Sequence, residues 1–246
     1  MKKNLKIKGF ALLSILLPLF AQAQDESQPV TIDDLMALQS LSSPQISPDG
    51  EWVAYVVRSR DMEEDKSNTQ VFMVATSGGE PIPMTDKETS ASDPQWSPDG
   101  RFLSFTASKG EGAKTQIWTL NRLGGEAVQL TDVISGVRDY AWSPDGSRLL
   151  LTLTDPKPAD LTEDKDDDDK AVPYVIDRMQ FKQDYSGYLD RRRTHVYVYT
   201  LDSETTTQLT FGDYDDSNPV WSPDSKSIAL VSDRSDNPDL NYGTDI

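Results

Sequence analysis

Few residues in this chain combine the type and the setting that chemistry at a site demands. His195 is the one histidine. It opens the alternating stretch Val196-Tyr197-Val198-Tyr199 with no serine or cysteine motif beside it. That setting suits a structural place on a strand better than a general base. The run Asp166-Asp167-Asp168-Asp169 could suggest calcium, but an oxygen cage needs ligands at alternating positions around a glycine turn, and the run has neither. It reads as a solvated loop. Arg191-Arg192-Arg193 could bind a carboxylate, but pairing with the chain's own acids from Glu163 to Asp169 is the reading adopted for the triplet. Asp213, Asp215 and Asp216 fall in a turn and read as solvating acids. A nucleophile elbow, Gly-x-Ser-x-Gly, occurs nowhere in the 246 residues. No catalytic, cofactor-binding or metal-binding residue is assigned on these grounds, and no cofactor is implied.

The elements that organise the chain are turns. Ser47-Pro48-Asp49-Gly50 is repeated as Ser97-Pro98-Asp99-Gly100 and Ser143-Pro144-Asp145-Gly146, then as Ser222-Pro223-Asp224-Ser225. Proline pre-sets φ, the aspartate can bond the local backbone, and glycine relieves crowding as the chain reverses. Ile46, Trp96, Trp142 and Trp221 precede the four copies. Alternating apolar residues follow each: Val53, Tyr55, Val57; Leu103, Phe105, Ala107; Leu149, Leu151, Leu153; Ile228, Leu230. Each phrase is thus the bend of a β-hairpin. Third strands follow at Gln70–Val74, Gln116–Leu120 and His195–Tyr199, and short fourth strands close on Met84-Thr85, Leu130-Thr131 and Leu209-Thr210. The starting serines lie 97 − 47 = 50, 143 − 97 = 46 and 222 − 143 = 79 residues apart, so the third interval carries an insertion. Four strands at a period of about 45 residues predict propeller blades. The expected architecture is all-β: blades near 43–91, 92–136 and 137–214, the last with an insertion at 156–193, and a partial fourth at 215–246. A short helix is expected within 31–42, with Thr31 as N-cap, Asp34 three residues on, and Leu35, Met36 and Leu38 packed on the first blade.

The Trp-Ser-Pro-Asp-Gly repeats resemble those of prolyl oligopeptidase family serine peptidases and of TolB-type periplasmic propellers. The lead-in Thr31 to Leu38 running into Ser43-Pro44-Gln45-Ile46-Ser47, and the insertion from Asp177-Arg178-Met179 through Gly187 to Arg193 and on to Val198, tilt it toward the acylaminoacyl-peptidase and dipeptidyl-peptidase branch. The resemblance spans about residues 31 to 246. It implies an N-terminal propeller that limits access to short peptides, followed in the family by an α/β-hydrolase domain carrying the catalytic serine, aspartate and histidine. Thr244-Asp245-Ile246 aligns with Thr69-Gln70-Val71, the start of a third strand, so the catalytic domain is expected beyond Ile246 and this chain alone is expected to be inactive. Three and a half blades cannot close a ring, so apolar rows such as Val53, Tyr55, Ile228 and Leu230 are expected to face outward. Dipeptidyl peptidases of the family hold a substrate's amino terminus with paired glutamates; the residues around Glu63-Glu64 do not match that motif, and the role is not carried over. The alternative reading is a non-enzymatic TolB-like propeller that binds protein partners.

Residues 1–23 read as a secretory signal: Lys2, Lys3, Lys6 and Lys8, an apolar core from Phe10 to Phe20, and Ala21-Gln22-Ala23 for cleavage. Residues 24–42 form the lead-in. The protein is expected to be periplasmic or secreted, without a stable membrane anchor after cleavage. Loss of four lysines moves the net charge from −17 to −17 − 4 = −21. That balance argues against nucleic acid and anionic membranes as partners but does not choose a substrate. Peptide substrates, met through the separate catalytic domain, are what the resemblance implies. Without cysteine, stability must come from burial.

Overall fold

The computed structural model describes residues 29–110, 112–157, 176, 179, 181–184, 187–236, 238 and 245–246. Residues 1–23, read above as a secretory signal, and the acidic run of the insertion lie outside the described residues. A helix, α1 (Ile32–Ala37), comes first, and a full capping box starts it: Thr31 Oγ1 accepts from the Asp34 amide while the Asp34 carboxylate accepts from that of Thr31. The expected apolar face is only partly used. Met36 meets Arg60 of the first blade, but Leu35 and Leu38 are exposed.

Three four-stranded antiparallel sheets follow, each in simple meander order. Blade one holds β1 (Ser40–Ile46), β2 (Trp52–Asp61), β3 (Lys66–Ala75) and β4 (Ile82–Pro83). Blade two holds β5 (Ala91–Trp96), β6 (Phe102–Ala107), β7 (Gln116–Asn121) and β8 (Val128–Gln129). Blade three begins with β9 (Val137–Trp142) and β10 (Arg148–Thr154). A small hairpin, β11 (Lys182–Gln183) and β12 (Gly187–Tyr188), then interrupts it before β13 (Thr194–Thr200) and β14 (Thr205–Gln208). In blade four β15 (Asp216–Trp221) pairs with β16 (Ile228–Ser232), and Ser232 bridges to Asp245. This is a β-propeller.

The repeated phrase builds one turn four times. In blade one the Gly50 amide donates to Ser47 O, and the Ser47 hydroxyl donates to Asp49 Oδ1 at 2.5 Å while accepting the Trp52 amide at 2.9 Å. Ser97, Ser143 and Ser222 repeat that relay. The fourth position lies in the left-handed region, with φ of 72°, 69° and 72° at Gly50, Gly100 and Gly146 and 59° at Ser225. Glycine is therefore there for its φ, and Ser225 occupies a conformation that disfavours a side chain.

Alternation assigns the faces. Ala54, Val56, Val71 and Met73 of blade one pack against Leu103, Phe105 and Ala107 of blade two. Leu149, Leu151 and Leu153 of blade three turn back onto Ile117 of blade two, while Leu150, Val196 and Val198 face blade four. Val53, Tyr55 and Val57 therefore form the half-exposed outer face of blade one, as expected. The expectation fails in blade four. Ile228 and Leu230 are turned inward against blade three, because they occupy the positions of Leu149 and Leu151, which face the preceding blade. The tryptophans stitch neighbours together: Trp96, Trp142 and Trp221 donate their indole N–H to Gln45 O, Ser104 Oγ and Ala141 O of the preceding blade, at 3.1, 2.8 and 3.4 Å.

Candidate functional site

The polar features converge where blades three and four meet, at the end of the strands away from the Ser-Pro-Asp-Gly turns. β10 ends near Asp155, β13 begins beside Arg193, and the link from β14 to β15 carries Asp213, Asp215 and Asp216. Arg193 is only 4% exposed. Its Nε reaches Asp213 Oδ1 at 2.6 Å and its Nη1 reaches Asp215 Oδ2 at 3.1 Å. The Arg193 amide donates to Asp155 and the Thr194 amide to Asp215, both at 2.9 Å. A buried guanidinium needs such partners, since an unpaired one would carry the full cost of desolvation.

His195 lies one residue deeper, buried, with Nδ1 3.4 Å from Asp216 Oδ2 and Nε2 3.9 Å from Asp155 Oδ1. Asp216 is fully buried, and its other oxygen accepts from Arg234 Nη2 at 2.7 Å. Burial pushes the Asp216 carboxyl upward, but hydrogen bonds with Thr210, Ser232 and His195, together with the Arg234 charge, outweigh it and hold the group below the usual carboxylate range. Both His195 nitrogens face carboxylates, and no serine hydroxyl bonds the ring among the described residues. The group is a clamp between blades rather than half of a nucleophile–base pair.

One expectation needs correction here. Asp213, Asp215 and Asp216 are not simply solvating acids: the first two hold Arg193, and Asp216 is a buried member of β15. Arg193 pairs with these acids, and Arg192 with Asp190 at 2.6 Å. The run 163–169, to which the triplet was assigned, lies outside the described residues. Glu63 and Glu64 sit at an exposed hairpin tip where Asp61 accepts both their amides, and Glu64 pairs with Lys66 at 2.9 Å.

Above the clamp opens a cavity of about 710 Å³ with polar walls from β9, β15, the β11–β12 hairpin and the ends of β10 and β13. It is the site where a ligand could enter. The serine of the repeated phrase and the buried Asp216 are the features that reading the residues missed. The first was visible in its fourfold recurrence, whereas the second depends on a contact across blades.

No family model matches the sequence. The chain is 30% identical over 218 residues to the uncharacterized peptidase YuxL of Bacillus subtilis, covering 88% of this chain and 33% of that protein. It is also 30% identical over 81 residues to dipeptidyl-peptidase 5 of Porphyromonas gingivalis, covering 33% of this chain and 12% of that one. The chain thus spans a third or less of the curated relatives it matches. Among solved structures, the acylaminoacyl peptidase of Pyrococcus horikoshii superposes with a TM-score of 0.63 at 22% identity, covering 85% of this chain and 30% of that chain. The resemblance to the propeller portion of prolyl oligopeptidase family peptidases therefore holds, and the chain is a homologue of a peptidase.

Proposed function

We propose that this chain is the substrate-gating propeller of an exported serine peptidase that acts on short peptides or their amino ends. The catalytic nucleophile would lie in an α/β-hydrolase domain outside these residues. The observation that carries the reading is similarity along 88% of the chain to one third of a peptidase. A chain matching only that part, with blades and no strand–helix elbow among the described residues, fits the access-limiting role of a propeller rather than the chemistry itself. The polar cavity between blades three and four would meet the peptide. Full-length gene product should hydrolyse short peptide amides faster than the same sequence embedded in a folded protein. Equal rates on both would remove the gating role, and no hydrolysis of either would remove the peptidase.

A further inference from the structure

One blade departs from its sisters at the innermost strand, and the departure lies in the cavity wall. In blades one, two and four, a residue before proline takes a left-handed φ: Ser43 at 51°, Asp93 at 50° and Asn218 at 48°. The ladder is irregular at each, between Ser42 and Gln45, Ser92 and Gln95, and Ser217 and Val220. Blade three has Tyr140 where the others have proline. Pairing there runs on regularly through Tyr140↔Leu151 and Asp139↔Thr152. The irregularity moves outward, and the next pair is Val137↔Leu153. Arg138 is the extra residue. A bulge of this kind re-aims a side chain, and Arg138 is exposed in the wall of the 710 Å³ cavity.

The other charges of that wall, Asp139 apart, are paired. Arg192 is held by Asp190, Asp215 by Arg193, and Asp216 by Arg234. Asp139 Oδ1 accepts its neighbour's amide at 2.8 Å. Arg138 has no carboxylate partner among the described residues. A planar guanidinium without a carboxylate partner among the described residues, beside a volume within the range of ligand pockets, suits a carboxylate, which it can grip with two parallel hydrogen bonds.

We infer that Arg138 anchors the terminal carboxylate of a short peptide in the cavity between blades three and four. The inference rests on the peptidase reading for its choice of ligand. Anchoring one end in this way would register a short peptide against the propeller and exclude longer chains whose carboxylate lies elsewhere.

The test is calorimetry on the full-length gene product, pre-treated with a fluorophosphonate so that hydrolysis does not mask binding. The probes are trialanine, trialanine amide and N-acetyl-trialanine. Free and N-acetylated trialanine should bind alike and the amide about tenfold more weakly, the loss expected for a charge-assisted pair partly open to water. Arg138→Gln should abolish that difference and Asp139→Asn should preserve it, with circular dichroism confirming that both variants fold. Equal binding of acid and amide, binding that follows the amino group, a preference surviving in Arg138→Gln, or no binding of any probe would overturn the inference. Fluorophosphonate labelling reports separately on the peptidase reading, so the two can fail independently.

Discussion

Asp216→Asn is the substitution that most directly weighs the clamp between blades three and four. Asparagine keeps the shape but removes the charge from a fully buried position. The bond to Arg234, 2.7 Å long, loses its charge assistance, which ordinarily contributes about 1.5–3 kcal/mol. Arg234 is 46% exposed, so water recovers part of that, and about 1 kcal/mol is a fair net loss. The His195 contact is long at 3.4 Å and adds about 1 kcal/mol at most, giving roughly 2 kcal/mol at neutral pH. The sign with pH follows from the depressed carboxyl. A group whose folded pKa lies below its unfolded value stabilises the fold fully above the unfolded pKa of about 4, and that contribution fades as pH falls through the lower folded value. The deficit of the variant should therefore be constant from pH 8 to 5 and shrink below about pH 4. Urea unfolding followed by tryptophan fluorescence reads this, because Trp221 sits in the same interface. A variant within about 0.5 kcal/mol of the parent at pH 7, or a deficit that grows toward pH 3, would show that Asp216 is not held as an ion between the blades.

Other consequences are more local. Ser143→Ala removes a buried hydroxyl that both donates to Asp145 and accepts the Arg148 amide, and should cost about 1–2 kcal/mol in the same unfolding assay. Gly50→Ala meets no neighbour within 4 Å but must hold φ near 72°, so its cost should be the conformational term of about 1–2 kcal/mol alone. Loss of less than half that would argue that the turn relaxes. Export should remove about the first 23 residues, so intact-mass measurement of periplasmic protein should find a terminus near Gln24. An intact Met1 terminus in the membrane fraction would contradict this.

The fold was legible because its signals are local. A Ser-Pro-Asp-Gly phrase specifies its own turn, and alternation after it specifies a strand, so hairpins and blade order follow from short windows. Orientation between blades was less visible. Ile228 and Leu230 show clear alternation, yet only the equivalence with Leu149 and Leu151 shows that their row faces blade three rather than solvent. The clamp was hidden for the same reason. Asp216 reads as one more acid in an acidic turn until Arg234 and His195 approach it from positions 18 and 21 residues away in sequence. Arg138 left a trace that reading by motif passed over, the Asp139-Tyr140 that stands where the sister blades carry Asp93-Pro94 and Asn218-Pro219.

The central claim, that this propeller belongs to a serine peptidase, is tested most directly by labelling the full-length gene product with a fluorophosphonate probe and mapping the modified residue. The account predicts one labelled serine, lying outside residues 1–246, and none within the propeller. A full-length product that takes up no label, or one labelled at a serine of the blades, would contradict it.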